Sequence, residues 1–216
     1  MKKLEDMIMA IMEFGIVIFD KLETQEKGPC LGKVIIMLTR NILVHQIKNG
    51  RFFDYEFFWS HKSKNGKIGN HIFSQWYHSP FSENGIRYET AEHFMMASKA
   101  RLFRDDKSLN KILNTKSPKM AKKIGRGVNG FNFKKWSKHK IEIVLKGSLL
   151  KFDQNNDLKD YLHSTKNNVL VEASPFDPQW GIGMRLNHRN SKVPSRWKGQ
   201  NLLGFCLMEA RRMIFK

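Results

Sequence analysis

The chain has 216 residues, 41% of them hydrophobic and sixteen of them Phe, enough to bury a sizeable core in one domain and too apolar for a disordered protein. Its 38 Lys plus Arg against 20 Asp plus Glu leave a formal charge of +18, which attracts polyanions, either nucleic acid or small phosphorylated ligands, although an AT-rich coding bias gives the same composition without either. The two cysteines, Cys30 and Cys206, exclude a disulfide framework or a cysteine-based metal site and fit a reducing, cytoplasmic compartment.

In residues 1–22, Leu4, Ile8, Ile11, Gly15, Ile18 and Leu22 recur at spacings of four and three, the mark of an amphipathic helix. Glu5, Asp6 and Glu13 interrupt the apolar stretch, so it reads as a packing or partner helix rather than a signal peptide or a membrane span. A polar connector over 24–32 follows, containing Gly28 and Pro29. The run VIIMLTRNILVHQI is rich in β-branched residues and broken at Thr39-Arg40-Asn41; it leans towards two short strands, with a buried helix as the alternative. No chemistry is legible in residues 1–50, which are assigned to an N-terminal extension of unknown role, leaving 51–216 as the main domain.

YEFFW at 55–59 reads as an aromatic strand, followed by a Lys/Asn/Gly loop and the aromatic segment HIFSQWYHSPF. Aromatics this dense are core, or the walls of a pocket on which a flat heterocycle stacks. Residues 88–104, YETAEHFMMASKARLFR, form the central helix, with Thr90 as N-cap and Glu92 in the first turn, where the dipole favours a negative charge. Glu92 and Lys99 share one face with Met96 and Phe103, their Cα atoms roughly 10 Å apart at helical rise, suited to flanking one small molecule. Glu92 is expected to stay ionised near neutral pH, and Lys99, packed among Met95, Met96 and Phe103, to be pushed towards its neutral, nucleophilic form. Taken alone, each is by default an ordinary surface charge.

A short helix is expected around 109–113. Ser117 and Pro118 then read as N-cap and N1 of another, closed by Gly125, with Arg126 beyond it, either solvent-facing or gripping a phosphate together with Lys122 and Lys123. Residues 136–152 carry Ile141, Val144, Leu145, Ser148 and Phe152 on one face of the longest core helix, Asp157 caps the next, and Val169 to Val171 form a short strand. PFDPQWGIG is a tight loop whose Asp177 supplies either a charge or an Asx turn, beside the stacking plane of Trp180. The closing segment from Gly199 sets Leu203, Leu207, Ala210 and Ile214 on one stripe of a docked helix. The eight His show no metal-ligand spacing, and no phosphate loop or nucleophile elbow is present.

In this order and at these spacings, FSQWYHSPF, YETAEHFMMASKARLF, SPKMAKKIGR, VLVEASPFDPQWGIG and GQNLLGFCLMEAR closely resemble the NADAR family, also called YbiA-like N-glycosidases, from about Glu56 to Ile214. The resemblance implies a mainly α, YbiA-like multihelical single domain with a few short β-strands, needing no cofactor and no metal. It also implies hydrolysis of N-glycosidic bonds, either in the early phosphoribosylamino-pyrimidine intermediates of riboflavin synthesis or in ADP-ribosylated guanine. The substrate is then a small phosphorylated N-glycoside, with nucleic acid as the alternative partner, no membrane association and no oligomeric state implied. Carried over residue by residue, Glu92, Lys99 and Asp177 are the catalytic candidates, and Phe73, Arg126, Trp136, Trp180, Gly181 and Asn201 the substrate contacts. Gln75, where many members carry Asn, and Ile182, where a bacterial subgroup has Asp, depart from the pattern and leave substrate preference open. In this chemistry Lys99 captures the sugar C1 as a Schiff base while Glu92 or Asp177 moves protons, or a carboxylate stabilises a ring-closed oxocarbenium centre. A reading from another class is a nucleic-acid-binding module that kept the fold and lost the chemistry.

Overall fold

The computed structural model describes residues 37–63 and 66–216, so the helix expected over 1–22 and the connector over 24–32 lie outside the described residues. The first element, α1 (Arg40–Lys48), is a helix where strands were favoured. The Thr39 hydroxyl accepts from the Ile42 N–H and caps it, and its Leu43 is fully buried. Tertiary contact overrides the β-branched propensity here, because the Arg40 guanidinium donates to the carbonyls of Pro194 (2.9 Å) and Ser195 (3.0 Å) and ties the helix down.

The expected aromatic strand, β1 (Tyr55–Phe58), pairs in parallel with β4 (Val169–Glu172), Tyr55 opposite Val169 and Phe58 opposite Glu172. β4 is the VLV run followed by Glu172, and its three apolar residues are fully buried, as a strand covered on both faces requires. Between them β2 (Phe81–Glu83) and β3 (Ile86–Tyr88) form an antiparallel hairpin, turned by Asn84 and Gly85 at φ of 50° and 76°, the left-handed pair such a turn demands.

The remaining elements are α2 (Ala91–Leu102), α3 (Asp106–Asn114), α4 (Pro118–Arg126), α5 (Phe133–Asp153), α6 (Asn156–Ser164) and α7 (Leu202–Ile214). The Thr90 hydroxyl caps α2 at the His93 N–H, and Ser117 and Pro118 open α4 as expected. Gly125 does not close α4; the helix runs one residue further, to Arg126, with Gly127 at its cap. Asp157 is not a cap either. Asn155 holds that position without a side-chain cap bond, and Asp157 lies in the first turn of α6.

α2 is the centre of the molecule, packed by α3, α4 and α5, and every residue from Ala91 to Lys99 except Ser98 is buried. Two close crossings permit this. A Cβ at Gly125 would collide with Met96 where α4 crosses α2, and one at Gly147 would lie 2.7 Å from the Phe94 ring where α5 crosses. On the far side, α7 packs against β4 and α5, with Leu203, Leu207 and Ala210 buried. The fully buried Lys151 reaches from α5 to the carbonyls of Ile72 (2.5 Å) and Ser74 (3.0 Å), fixing the segment just before Gln75 and Trp76. Among the described residues no helix is long and apolar enough to cross a membrane.

Candidate active site

α2 carries both chemical groups. Glu92 in its first turn is 2% exposed and Lys99, two turns on, is 8% exposed, so both side chains are held in the interior. The Lys99 Nζ donates to the Gly125 carbonyl at 2.7 Å and lies 4.3 Å from the ring centre of Phe131 and 5.5 Å from that of Trp136. Burial lowers the pKa of this amine below the usual lysine range, and the Arg126 guanidinium lowers it further. The expected lowering of the Lys99 pKa by burial is thus present, with the Phe131 and Trp136 rings beside the amine.

Glu92 departs from expectation. It was expected to stay ionised on account of the helix dipole, but burial raises its pKa from 4.5 to about 7. Lys122, a hydrogen bond from the Trp76 indole and Arg126 pull it down, while Asp177 pushes it up; desolvation outweighs them. The dipole contributes about 0.3 to 2 kcal/mol at a helix end, less than the cost of stripping water from a carboxylate. Near neutral pH the group is thus a proton donor as readily as an acceptor.

α4 supplies the cations. Lys122 and Arg126, four residues apart, lie on one face of it: Lys122 stands 5.8 Å from the Trp76 ring and acts on Glu92, and Arg126 acts on both Glu92 and Lys99. Arg126 is exposed. Glu172, at the end of β4, completes the cluster. Burial pushes its pKa up to about 8, with Asp177 and Glu92 adding to the rise and Lys122 opposing it. Three acids act on one another here, yet among the described residues no group of three His, Cys, Asp or Glu is placed to hold a metal ion.

Asp177 is an Asx turn, its Oδ1 accepting from the N–H groups of Gln179 (3.1 Å) and Trp180 (2.8 Å), and its charge still reaches Glu92 and Glu172. Trp180 is partly buried against the core, and its carbonyl accepts from the Leu203 N–H. Gly181 keeps this loop tight, since a Cβ there would come within 2.7 Å of the Glu172 carbonyl oxygen. Ile182, fully buried, donates its N–H to that same oxygen at 2.9 Å.

Glu92, Lys99, Arg126, Trp136 and Asp177 therefore fall into one cluster. Phe73 and Asn201 do not belong to its ligand-facing surface, because both are fully buried. Phe73 packs its ring against Phe58, Phe152 and Tyr161. Asn201, at φ 56°, donates its side-chain amide to the Leu170 carbonyl and accepts from the Glu172 N–H, clasping β4. Glu172, Trp76 and Phe131 join the cluster without being singled out by sequence pattern. A charged residue ending a fully apolar strand run was the one signal available for Glu172.

The family model described as NADAR domain matches residues 57–215. N-glycosidase R617 of Acanthamoeba polyphaga mimivirus is 43% identical over 162 residues, covering 73% of this chain and 94% of that protein. N-glycosidase YbiA of Escherichia coli (strain K12) is 31% identical over 157 residues, 73% of this chain and 86% of that protein. The NMR structure of the E. coli protein YbiA superposes with a TM-score of 0.61 at 28% identity, covering 76% of this chain and 87% of that one. The mainly helical fold with few short strands is thus shared with that structure, and this chain belongs to the NADAR family.

Proposed function

We propose that this protein is an N-glycosidase that cleaves the bond between C1 of a phosphorylated ribosyl group and an exocyclic amine, as in the phosphoribosylamino-pyrimidine intermediates of riboflavin synthesis. The observation that carries the proposal is the pairing of a desolvated amine, Lys99, with a carboxyl poised near neutrality, Glu92, both facing the Arg126 guanidinium. The family's curated relatives named N-glycosidase support the same reading. Residues 51–216 are assigned to the catalytic domain and 1–50 to an extension of unknown role.

The substrate is a glycosylamine, whose ring oxygen, once protonated by Glu92, leaves C1 as the nitrogen lone pair forms an imine. The neutral Lys99 amine adds to C1 while it keeps donating to the Gly125 carbonyl, which fixes the direction of its lone pair. Proton transfer to the exocyclic nitrogen then expels the free amino-heterocycle and leaves C1 double-bonded to Lys99. Water adds to this Schiff base, giving up a proton to the Glu92 carboxylate, and the carbinolamine collapses to the sugar aldehyde and the free amine. Arg126 holds the phosphate, and Phe131 and Trp136 wall the reacting amine from water.

The test is borohydride added during turnover. The expected result is a reduced sugar attached to the peptide carrying Lys99, with Lys99→Met losing both the adduct and about a thousandfold in rate. Turnover without any trapped sugar would move the reaction to the ring-closed route. Absence of turnover on any N-riboside removes the glycosidase reading. A second reading, hydrolysis of ADP-ribose from guanine in nucleic acid, gains from the +18 charge and from the exposed Trp59 and Phe176 rings, 6.3 Å apart beside Asp177. Turnover of ADP-ribosylated DNA with none of the pyrimidine riboside reverses the ranking.

A further inference from the structure

Glu172 has no task in the reaction just described, yet the fold holds it in place. Its N–H donates to Asn201 Oδ1 at 2.9 Å, and its carbonyl accepts the Ile182 N–H at 2.9 Å, so the backbone that carries its side chain is fixed on both sides. Although the residue keeps some contact with solvent, Oε2 is sealed from water and has no hydrogen-bond partner. The same is true of Glu92 Oε1. Alongside, Gln75 has an unpartnered amide Nε2, and its carbonyl accepts the Glu92 N–H at 2.9 Å. The large majority of buried polar groups in folded proteins are paired, so three of the five orphaned side-chain atoms among the described residues falling on Gln75, Glu92 and Glu172 call for a partner from outside the chain.

Two acceptors and a donor are the complement of adjacent hydroxyl groups. A hydroxyl gives its proton to a carboxyl oxygen and takes a hydrogen bond from an amide, and an acidic side chain is the standard partner of a ribose diol in nucleotide sites. Lys122 acts on both Glu92 and Glu172 and favours the ionised form of either. We propose that Glu172 binds the 2-hydroxyl of the sugar, with Glu92 and Gln75 meeting the adjacent hydroxyl, making the site selective for ribosyl over 2-deoxyribosyl groups. The proposal rests on the N-glycosidase reading and names the residue by which that site tells ribose from deoxyribose.

The experiment measures calorimetric binding of D-ribose 5-phosphate and 2-deoxy-D-ribose 5-phosphate to the full chain, alongside hydrolysis of the pyrimidine N-riboside. Both sugars carry an aldehyde and the same phosphate, so reaction with Lys99 and contact with Arg126 cancel when the ratio is compared between wild type and variant. The wild type is expected to prefer the ribose compound about tenfold, the size of one hydrogen bond. Glu172→Leu should bring the ratio to about one while holding the deoxyribose 5-phosphate affinity within about twofold, which also shows that the variant is folded. Glu172→Gln, which keeps an acceptor, should fall between. A ratio unchanged in both variants, a wild type without preference, or a wild type that binds neither sugar overturns the proposal. Absence of hydrolysis by the wild type, read in the parallel assay, instead marks failure of the glycosidase reading.

Discussion

Glu92 shows how one residue's environment sets both chemistry and stability. Its pKa, raised by burial from 4.5 to about 7, means that the folded protein holds a proton the unfolded chain has already released over that interval. The stability it contributes is therefore present below about pH 4.5 and lost as the pH rises through about 7. Glu92→Gln should be indifferent to this, so the difference in unfolding free energy between variant and wild type should move in the variant's favour by roughly 3 kcal/mol from pH 4.5 to pH 8. Urea denaturation at the two pH values checks it, and a constant difference would show that the carboxyl is ionised in the fold. Lys151 contributes an opposite slope, its pKa lowered by burial to about 7, but it is common to both proteins and cancels.

Among the elements, the crossing of α4 over α2 decides where Lys99 points. Gly125 lets α4 approach Met96 and offers the carbonyl that the Lys99 amine binds. In a free helix Gly→Ala stabilises by about 1 kcal/mol, but at this crossing the added methyl overlaps the Met96 side chain down to its Cβ. Gly125→Ala should therefore destabilise by about 1 to 3 kcal/mol and lower the rate, with stability largely restored by adding Met96→Ala. Calorimetric melting of the two single variants and the double variant tests the pairing. The Asn201 clasp gives a second expectation. Asn201→Gly keeps the left-handed backbone but strands the Leu170 carbonyl and the Glu172 N–H, so it should cost about 2 to 4 kcal/mol in unfolding free energy. A loss below about 0.5 kcal/mol would show that the clasp carries little.

Across the whole molecule, the +18 charge surrounds a site whose one exposed ligand-facing cation is Arg126 among the residues argued to meet substrate. Steering of a phosphorylated substrate by such a field acts on encounter and leaves the chemical step alone. The rate at low substrate, kcat/KM, should fall several-fold between about 50 and 200 mM salt while kcat stays level, as steady-state kinetics would reveal. A fall in kcat instead would place salt-sensitive contacts in the reaction itself.

Local signals in the chain determined much of this. The caps at Thr90 and Ser117, the period of the last helix and the apolar run of β4 are properties of a few neighbouring residues, and each element formed where those residues put it. The face shared by Glu92 and Lys99 follows from helical period in the same way. What the chain in isolation could not set were quantities fixed by distant partners. Arg40 is tied to Pro194 and Ser195, and the stretch around it became a helix rather than strands. Glu92 on α2 acts on Glu172 on β4, far from it in the chain, and the protonation of Glu92 depends on how much water its surroundings remove. Helical period and caps act over a single turn, whereas desolvation is the sum over everything packed around a group, so only the tertiary structure decided which acid of this site keeps its proton.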